Sequence, residues 1–154
     1  MSTTSDRFKP YAAALVFLID NDSILLIRRF NTGWADGQYT VPSGHVEKDE
    51  SITDAAVRES LEEAGVRIDP SHIEFAHVSY RHNNQADRVY VDFFFVCKKW
   101  SGSPYNAEPD RCDDVRWFPL NKLPENTVPF VRHAIDAYAQ QQPFSEYGWL
   151  KNKE

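Results

Sequence analysis

No stretch of the chain approaches the roughly 18 consecutive apolar residues that a membrane-spanning helix needs. The opening "MSTTSDRFKP" has no basic start leading into an apolar run, so no secretory leader is expected. Cysteine is scarce: Cys97 and Cys112 stand alone, without metal-ligand spacing. Cys97, inside "VDFFFVC", reads as a small buried apolar residue, and the pair points to a reduced, cytoplasmic protein. Positive charge is also in short supply. Seventeen Lys and Arg face 23 Asp and Glu for a net charge of −6, and no basic patch suited to an extended nucleic acid is present. What remains is an ordinary globular composition, 42% hydrophobic and 26% charged over 154 residues. That length predicts one domain able to bury roughly 70% of its unfolded surface.

The pattern along the chain predicts alternating strands and helices. "YAAALVFLI" (Tyr11–Ile19) and "SILLIRR" (Ser23–Arg29) flank the turn signal "DND" and read as a hairpin. Residues 30–44 are rich in Gly, Asn and Asp and read as a long loop with a short strand at Tyr39–Val41. Loops of that length in a small domain are often functional. "SITDAAVRESLEEAG" reads as a helix opened by a Ser51/Asp54 capping box and stopped by Gly65, with Val57, Leu61 and Ala64 as its core side. Strands follow at His72–His82, Asp87–Trp100 and Asp113–Leu120, then a second helix over Val128–Gln141 stopped by Pro143. The expected domain is therefore residues 10–142, with a flexible start over 1–9 and a tail over 143–154. The fold class expected is α/β, layered, with a mixed β-sheet.

The acidity is concentrated. Between Gly44 and Val66, seven carboxylates against Lys48 and Arg58 give −5, leaving only −1 for the rest of the chain. Within "RESLEEAG", Glu59, Glu62 and Glu63 are spaced i, i+3, i+4 and share one helical face, where like charges repel. Alone, such a run is as well read as a solvated surface. Arg58, beside Glu59 and one turn before Glu62, is placed to orient these carboxylates. Oxygen ligands crowded in this way suit a hard divalent cation such as Mg²⁺, which favours phosphate partners.

"GHVEKDESITDAAVRESLEEAGV" (Gly44–Val66) resembles the Nudix box, G-x5-E-x7-R-E-U-x-E-E-x-G-U with U a bulky apolar residue. Gly44, Glu50, Arg58, Glu59, Glu62, Glu63, Gly65 and Val66 fall on the pattern, whereas Ser60 stands where an apolar residue is usual. The resemblance implies a Nudix-type α/β/α sandwich. It also implies Mg²⁺-dependent cleavage (Mn²⁺ a possible substitute) of a nucleoside diphosphate linkage in a small nucleotide, by a monomer or homodimer. A nucleoside triphosphate giving monophosphate and pyrophosphate is the leading reading. A diphosphatase of ADP-ribose or nucleotide sugars is the alternative, and a non-hydrolytic nucleotide sensor is a reading of another class. By carry-over the metal ligands are Glu59, Glu62, Glu63 and the carbonyl of Ser43, with Arg58 orienting Glu59 and Glu50 supporting the loop. Gly44 and Gly65 are structural in the motif. Glu108 in "NAEPD" is a candidate metal ligand and shares with Glu59 the candidacy for general base. Arg28, Arg29, Trp34, Tyr39 and Trp117 are candidates to touch substrate, each with an ordinary structural role as its rival. His82 and His133 are isolated and read as structural.

Overall fold

The computed structural model describes residues 6–150. Of the flexible start expected over residues 1–9, the first five residues lie outside this range, as do residues 151–154 of the expected tail. Eight strands and two α-helices follow in the order β1 (Tyr11–Asp20), β2 (Ser23–Arg29), β3 (Tyr39–Thr40), β4 (Ser43–His45), α1 (Ile52–Ala64), β5 (Glu74–Asn83), β6 (Arg88–Cys97), β7 (Cys112–Pro119), α2 (Pro129–Ala139) and β8 (Phe144–Tyr147).

β1 organises the molecule. It runs parallel to β6 from Tyr11 to Leu18, pairs β4 through Ala13–Leu15 on its other side, and turns into β2 at Ile19 and Asp20. Beyond it the sheet continues as β3-β2-β1-β6-β5-β8, with β7 on β2. Its two faces are buried in two different cores, which is why "YAAALVFLI" is apolar at nearly every position rather than at alternate ones. Ala13, Leu15, Phe17 and Ile19 pack with Val131, Ala134 and Ile135 of α2. Ala14, Val16 and Leu18 pack with Ala55, Ala56 and Ala64 of α1. Helix, mixed sheet and helix form three layers, the α/β/α arrangement expected.

α1 begins where the sequence predicts: the Ser51 hydroxyl accepts a hydrogen bond from the Asp54 amide at 3.1 Å, and Gly65 ends the helix at φ +71°. Its buried side meets the expectation at Ala64 and in part at Val57 but not at Leu61. Ala55, Ala56, Ser60 and Ala64 face the sheet, while Leu61 is 38% exposed. Small residues allow α1 to lie close to β1. The Ser60 hydroxyl, fully buried, is satisfied by donating to the Ala56 carbonyl at 2.9 Å.

The segment after Pro143 is not a free tail in this structure. Phe144–Tyr147 adds to β5 in parallel, from Val78↔Phe144 to Arg81↔Tyr147. Buried His77 fixes it through Nδ1 to the Gln142 carbonyl and Nε2 to the Ser145 hydroxyl, each at 2.7 Å. Trp149 then stacks on Tyr80 and donates Nε1–H to the Tyr80 carbonyl at 2.9 Å. The short strand covers an edge that β5 would otherwise leave unpaired. β4 was also unforeseen as a strand, because Pro42 and Gly44 flank Ser43 in a run that reads as loop.

Ending the chain at Gln142 uncovers β5 and leaves the His77 imidazole without Ser145. We expect a fall in thermal midpoint of several degrees, about 2–4 °C for each kcal/mol lost in a domain of this size. An unchanged midpoint would show that the segment is merely laid on the surface.

Candidate active site

The acidic face of α1 and the loop before it converge on one guanidinium. Arg58 donates Nε–H to Glu50 at 2.7 Å and Nη2–H to the second Glu50 oxygen at 3.0 Å, a two-point grip. Its Nη1 reaches Glu59 at 2.7 Å and Glu62 at 3.3 Å, and Nη2 also donates to the His45 carbonyl at 3.2 Å. Glu50 in turn accepts from the Glu47 amide at 3.0 Å. One side chain thus ties β4, the loop and the helix together. These bonds hold the Glu50 carboxyl down to about 2.

Glu59 is 8% exposed and passes over β4 at Gly44. A Cβ at residue 44 would stand 2.0 Å from Glu59 Oε1, so only glycine leaves room for the carboxylate there. Burial pushes Glu59 up to about 7, against the pull of Arg58 and with help from Glu62 and Glu108. Glu63 accepts from the Ser43 amide at 2.8 Å. Burial first, then the charges of Glu59 and Glu108, drive its carboxyl well above the usual range.

Glu108 reaches the same region through the loop after β6. The Tyr105 amide donates to the Ala64 carbonyl at 3.0 Å, and a Cβ on Gly65 would strike the Tyr105 ring at 2.1 Å. Asn106 then bridges the loop, accepting from the Glu108 amide at 3.2 Å and donating to the Cys112 carbonyl at 2.6 Å. The helix end and this loop are therefore one unit, and Glu108 faces Glu59 and Glu63.

These groups line a cleft of about 790 Å³. Ser43, Gly44, Glu59, Glu62, Glu63 and Glu108 form one end, with Arg28, Arg29 and Arg111 beside them. Arg28 is paired with Asp113 at 2.7 Å. Arg29 donates to the Trp34 carbonyl at 2.7 Å and lies 4.8 Å from the centroid of its ring, so Trp34 stands at the cleft rim. Two candidates lie elsewhere. Tyr39 is buried, donating its hydroxyl to Asp114 and meeting Phe118 edge-on. Trp117 stacks on Trp100 at 6.0 Å in the α1-side core. Strand alternation sends Phe118 to the opposite core, so neither ring of "RWFP" lines the cleft. His82 stacks on Trp149, and His133 lies against Tyr147. Both cysteines are buried and free.

Among the cleft residues that carried no sequence signal are Arg81, Tyr90, Asp92 and Phe130. Arg81 lies on β5, Tyr90 and Asp92 on β6 and Phe130 on α2, and strand register together with helix packing brings them to one place.

Among the described residues no three acidic, imidazole or thiol side chains are gathered at ligating distance of one point. Glu59 is held by Arg58 and Glu63 by the Ser43 amide. Their chemistry nevertheless suits a hard divalent cation. The donors are all oxygen, the space at Gly44 admits the Glu59 carboxylate, and a cation would offset the burial and, after it, the neighbouring negative charge that raise these carboxyls.

The protein is thus a layered α/β/α domain that lays a glutamate-rich helix on one face of a mixed sheet and brings its carboxylates to a charged cleft. The sequence profile of the NUDIX domain matches residues 9–138, and the chain belongs to the Nudix family. An 8-oxo-dGTP diphosphatase of Buchnera aphidicola is 37% identical over 94 residues, covering 61% of this chain and 70% of that protein. Nudix hydrolase 2 of Arabidopsis thaliana is 30% identical over 120 residues, covering 76% of this chain. The chain spans only 41% of that plant protein's length. A crystal structure of a MutT NUDIX hydrolase from Burkholderia pseudomallei, 26% identical, superposes with a TM-score of 0.77 over 84% of this chain and 98% of its own. No helix among the described residues is long and apolar enough to cross a membrane.

The raised carboxyls give a signed pH dependence. Glu59 and Glu63 bind protons more tightly folded than unfolded, so their contribution to stability is fully present below about 4.5. It is lost as pH rises through about 7 for Glu59. We expect the metal-free protein to lose thermal stability between pH 5 and 8, as read by scanning calorimetry. Mg²⁺ should restore more of it at pH 8 than at pH 5.5, and equal rescue at both would contradict the assignment. Gly44→Ala, forcing Glu59 aside, should abolish most of that rescue.

Proposed function

We propose that this chain is a Mg²⁺-dependent hydrolase of nucleoside triphosphates, releasing a nucleoside monophosphate and pyrophosphate, and that it works in a reducing cytoplasm as a monomer or homodimer. The observation that carries the reading is the pair of buried, mutually repelling carboxylates, Glu59 and Glu63, held at one end of a cleft of nucleotide size. The relative named an 8-oxo-dGTP diphosphatase, and membership of the Nudix family, support it.

A phosphate chain would be repelled by these carboxylates alone. Glu59, Glu62, Glu63 and the Ser43 carbonyl are the residues that would hold a divalent ion, with Glu108 a further candidate. Such an ion supplies charge neutralisation for the phosphates and a lowered pKa for water. The protein's residues do the rest. Arg58 fixes the orientation of Glu59, its role here being to position that carboxylate rather than to bind substrate. Arg28 and Arg29 line the same cleft and are the guanidinium groups available to meet phosphate oxygens. Water oxygen bonds to phosphorus, the phosphoanhydride P–O bond breaks, and the pair of electrons leaves with pyrophosphate. The water proton passes to Glu59 or Glu108, both of which face the cleft.

The test is product analysis with Mg²⁺ over ordinary and oxidised nucleoside triphosphates, ADP-ribose and nucleotide sugars. Pyrophosphate should be released from a triphosphate, and Glu63→Gln should lose at least about a hundredfold in kcat, the scale for removing a group that stabilises developing charge. Turnover confined to ADP-ribose or sugars would replace the reading with a diphosphatase. Bound nucleotide without turnover would make the protein a sensor. Between the two bases, Glu108→Gln decides: loss of the acidic limb of the pH–rate profile assigns the base to Glu108, and its survival assigns it to Glu59.

A further inference from the structure

The end of the cleft away from the carboxylates is built around a second ion pair. Arg81 on β5 is 7% exposed and Asp92 on β6 is fully buried. Asp92 accepts from Arg81 Nε at 2.5 Å and from Nη2 at 3.2 Å. The guanidinium carbon lies 4.3 Å from the centroid of Tyr90 and 3.7 Å from that of Phe130, so the rings cover its faces. Asp92 occupies one edge of the fork, leaving Nη1 at the other. All four residues line the cleft.

This pair is remote from the phosphate end. β4, which carries Ser43 and Gly44, and β5 are separated by β1 and β6. Three interstrand spacings of about 4.8 Å place Arg81 roughly 14 Å across the sheet from them. Asp92 balances its charge, so attraction for a further phosphate is weak there. A stiff, neutralised guanidinium with covered faces instead offers in-plane donors, a shape suited to a flat ligand edge carrying acceptors.

We propose that Arg81, oriented by Asp92 and covered by Tyr90 and Phe130, is a specificity-determining residue that reads the nucleobase. Its free edge favours a base presenting two adjacent acceptors, guanine through O6 and N7 or cytosine through O2 and N3. Adenine, which sets a donor beside N7, fits poorly. So do uracil and thymine, whose N3–H separates the two carbonyls, and 8-oxoguanine, whose N7 carries a proton. This rests on the nucleotide reading above and adds the base class to it.

The experiment measures binding and hydrolysis separately on the full chain. Calorimetric affinities for dGMP, dCMP, dAMP, dTMP and 8-oxo-dGMP are compared in the native protein and in Arg81→Lys. A paired variant, Arg81→Gln with Asp92→Asn, removes the buried charges together, so that a folded comparison exists should the single change unfold the protein. The native protein should prefer dGMP and dCMP by about tenfold to a hundredfold, a preference lost in the folded variants. Selective binding of one of these two alone identifies which acceptor pair is read and supports the proposal. No preference, a preference for dAMP, dTMP or 8-oxo-dGMP, or a preference untouched by the variants would overturn it, leaving Arg81–Asp92 as a staple between strands. Base-selective binding without hydrolysis of any triphosphate would sink the hydrolytic reading and leave this one standing.

Discussion

The site depends on the Arg58 guanidinium. It holds Glu50 at two points, Glu59 and Glu62 at one each, and the carbonyl of His45. Without it the loop between β4 and α1 would lose its tie to the helix, and Glu59 would lose a cation that offsets its burial. The register of the acidic segment follows from this grip. Glu50 must sit just ahead of the helix and Glu59 immediately beside Arg58, while Glu62 stands one turn on. The arginine organises these carboxylates and leaves Glu63 to the Ser43 amide.

β1 supplies the rigid support. With one face against α1 and the other against α2, it cannot slip by a residue without exposing an entire row of apolar side chains. That fixes β4 on one side and β6 on the other, and so fixes both ends of the cleft. Gly44 is where support and chemistry meet. The strand is continuous there, yet the absent side chain is the space that Glu59 occupies.

How much of this was legible depended on whether the determinants lay close together in sequence. The Gly44–Val66 segment was readable because a helix turns linear spacing into a shared face, and the structure places Glu50, Glu59 and Glu62 around Arg58. The hairpin, both helices and the two long strands were readable from periodicity. Leu61 was misjudged as core because it is apolar, although the sheet selects the small face of α1, where Ser60 satisfies its own hydroxyl. β8 was missed because four residues after a proline carry little pattern, and its hold comes from His77, 65 or more residues earlier. Tyr39, a candidate by its place in the loop, is taken up by Asp114 and Phe118, and Trp117, a candidate as an aromatic, is turned by alternation along β7 into the α1-side core. Arg81 and Asp92 could not be found from sequence. Arg81 is one polar residue among several on β5 and Asp92 a lone acid within apolar β6, until the β5–β6 register sets them diagonally across from each other.

The central claim is that Glu59 and Glu63 hold protons in the metal-free cleft and give them up to a divalent cation. Its most direct test is the number of protons released on Mg²⁺ or Mn²⁺ binding, measured by titration calorimetry in buffers of different ionisation enthalpy. Protons should be released at pH 6 and markedly fewer at pH 8.5, where Glu59 is already ionised. Metal binding with no proton release at pH 6 would contradict the account.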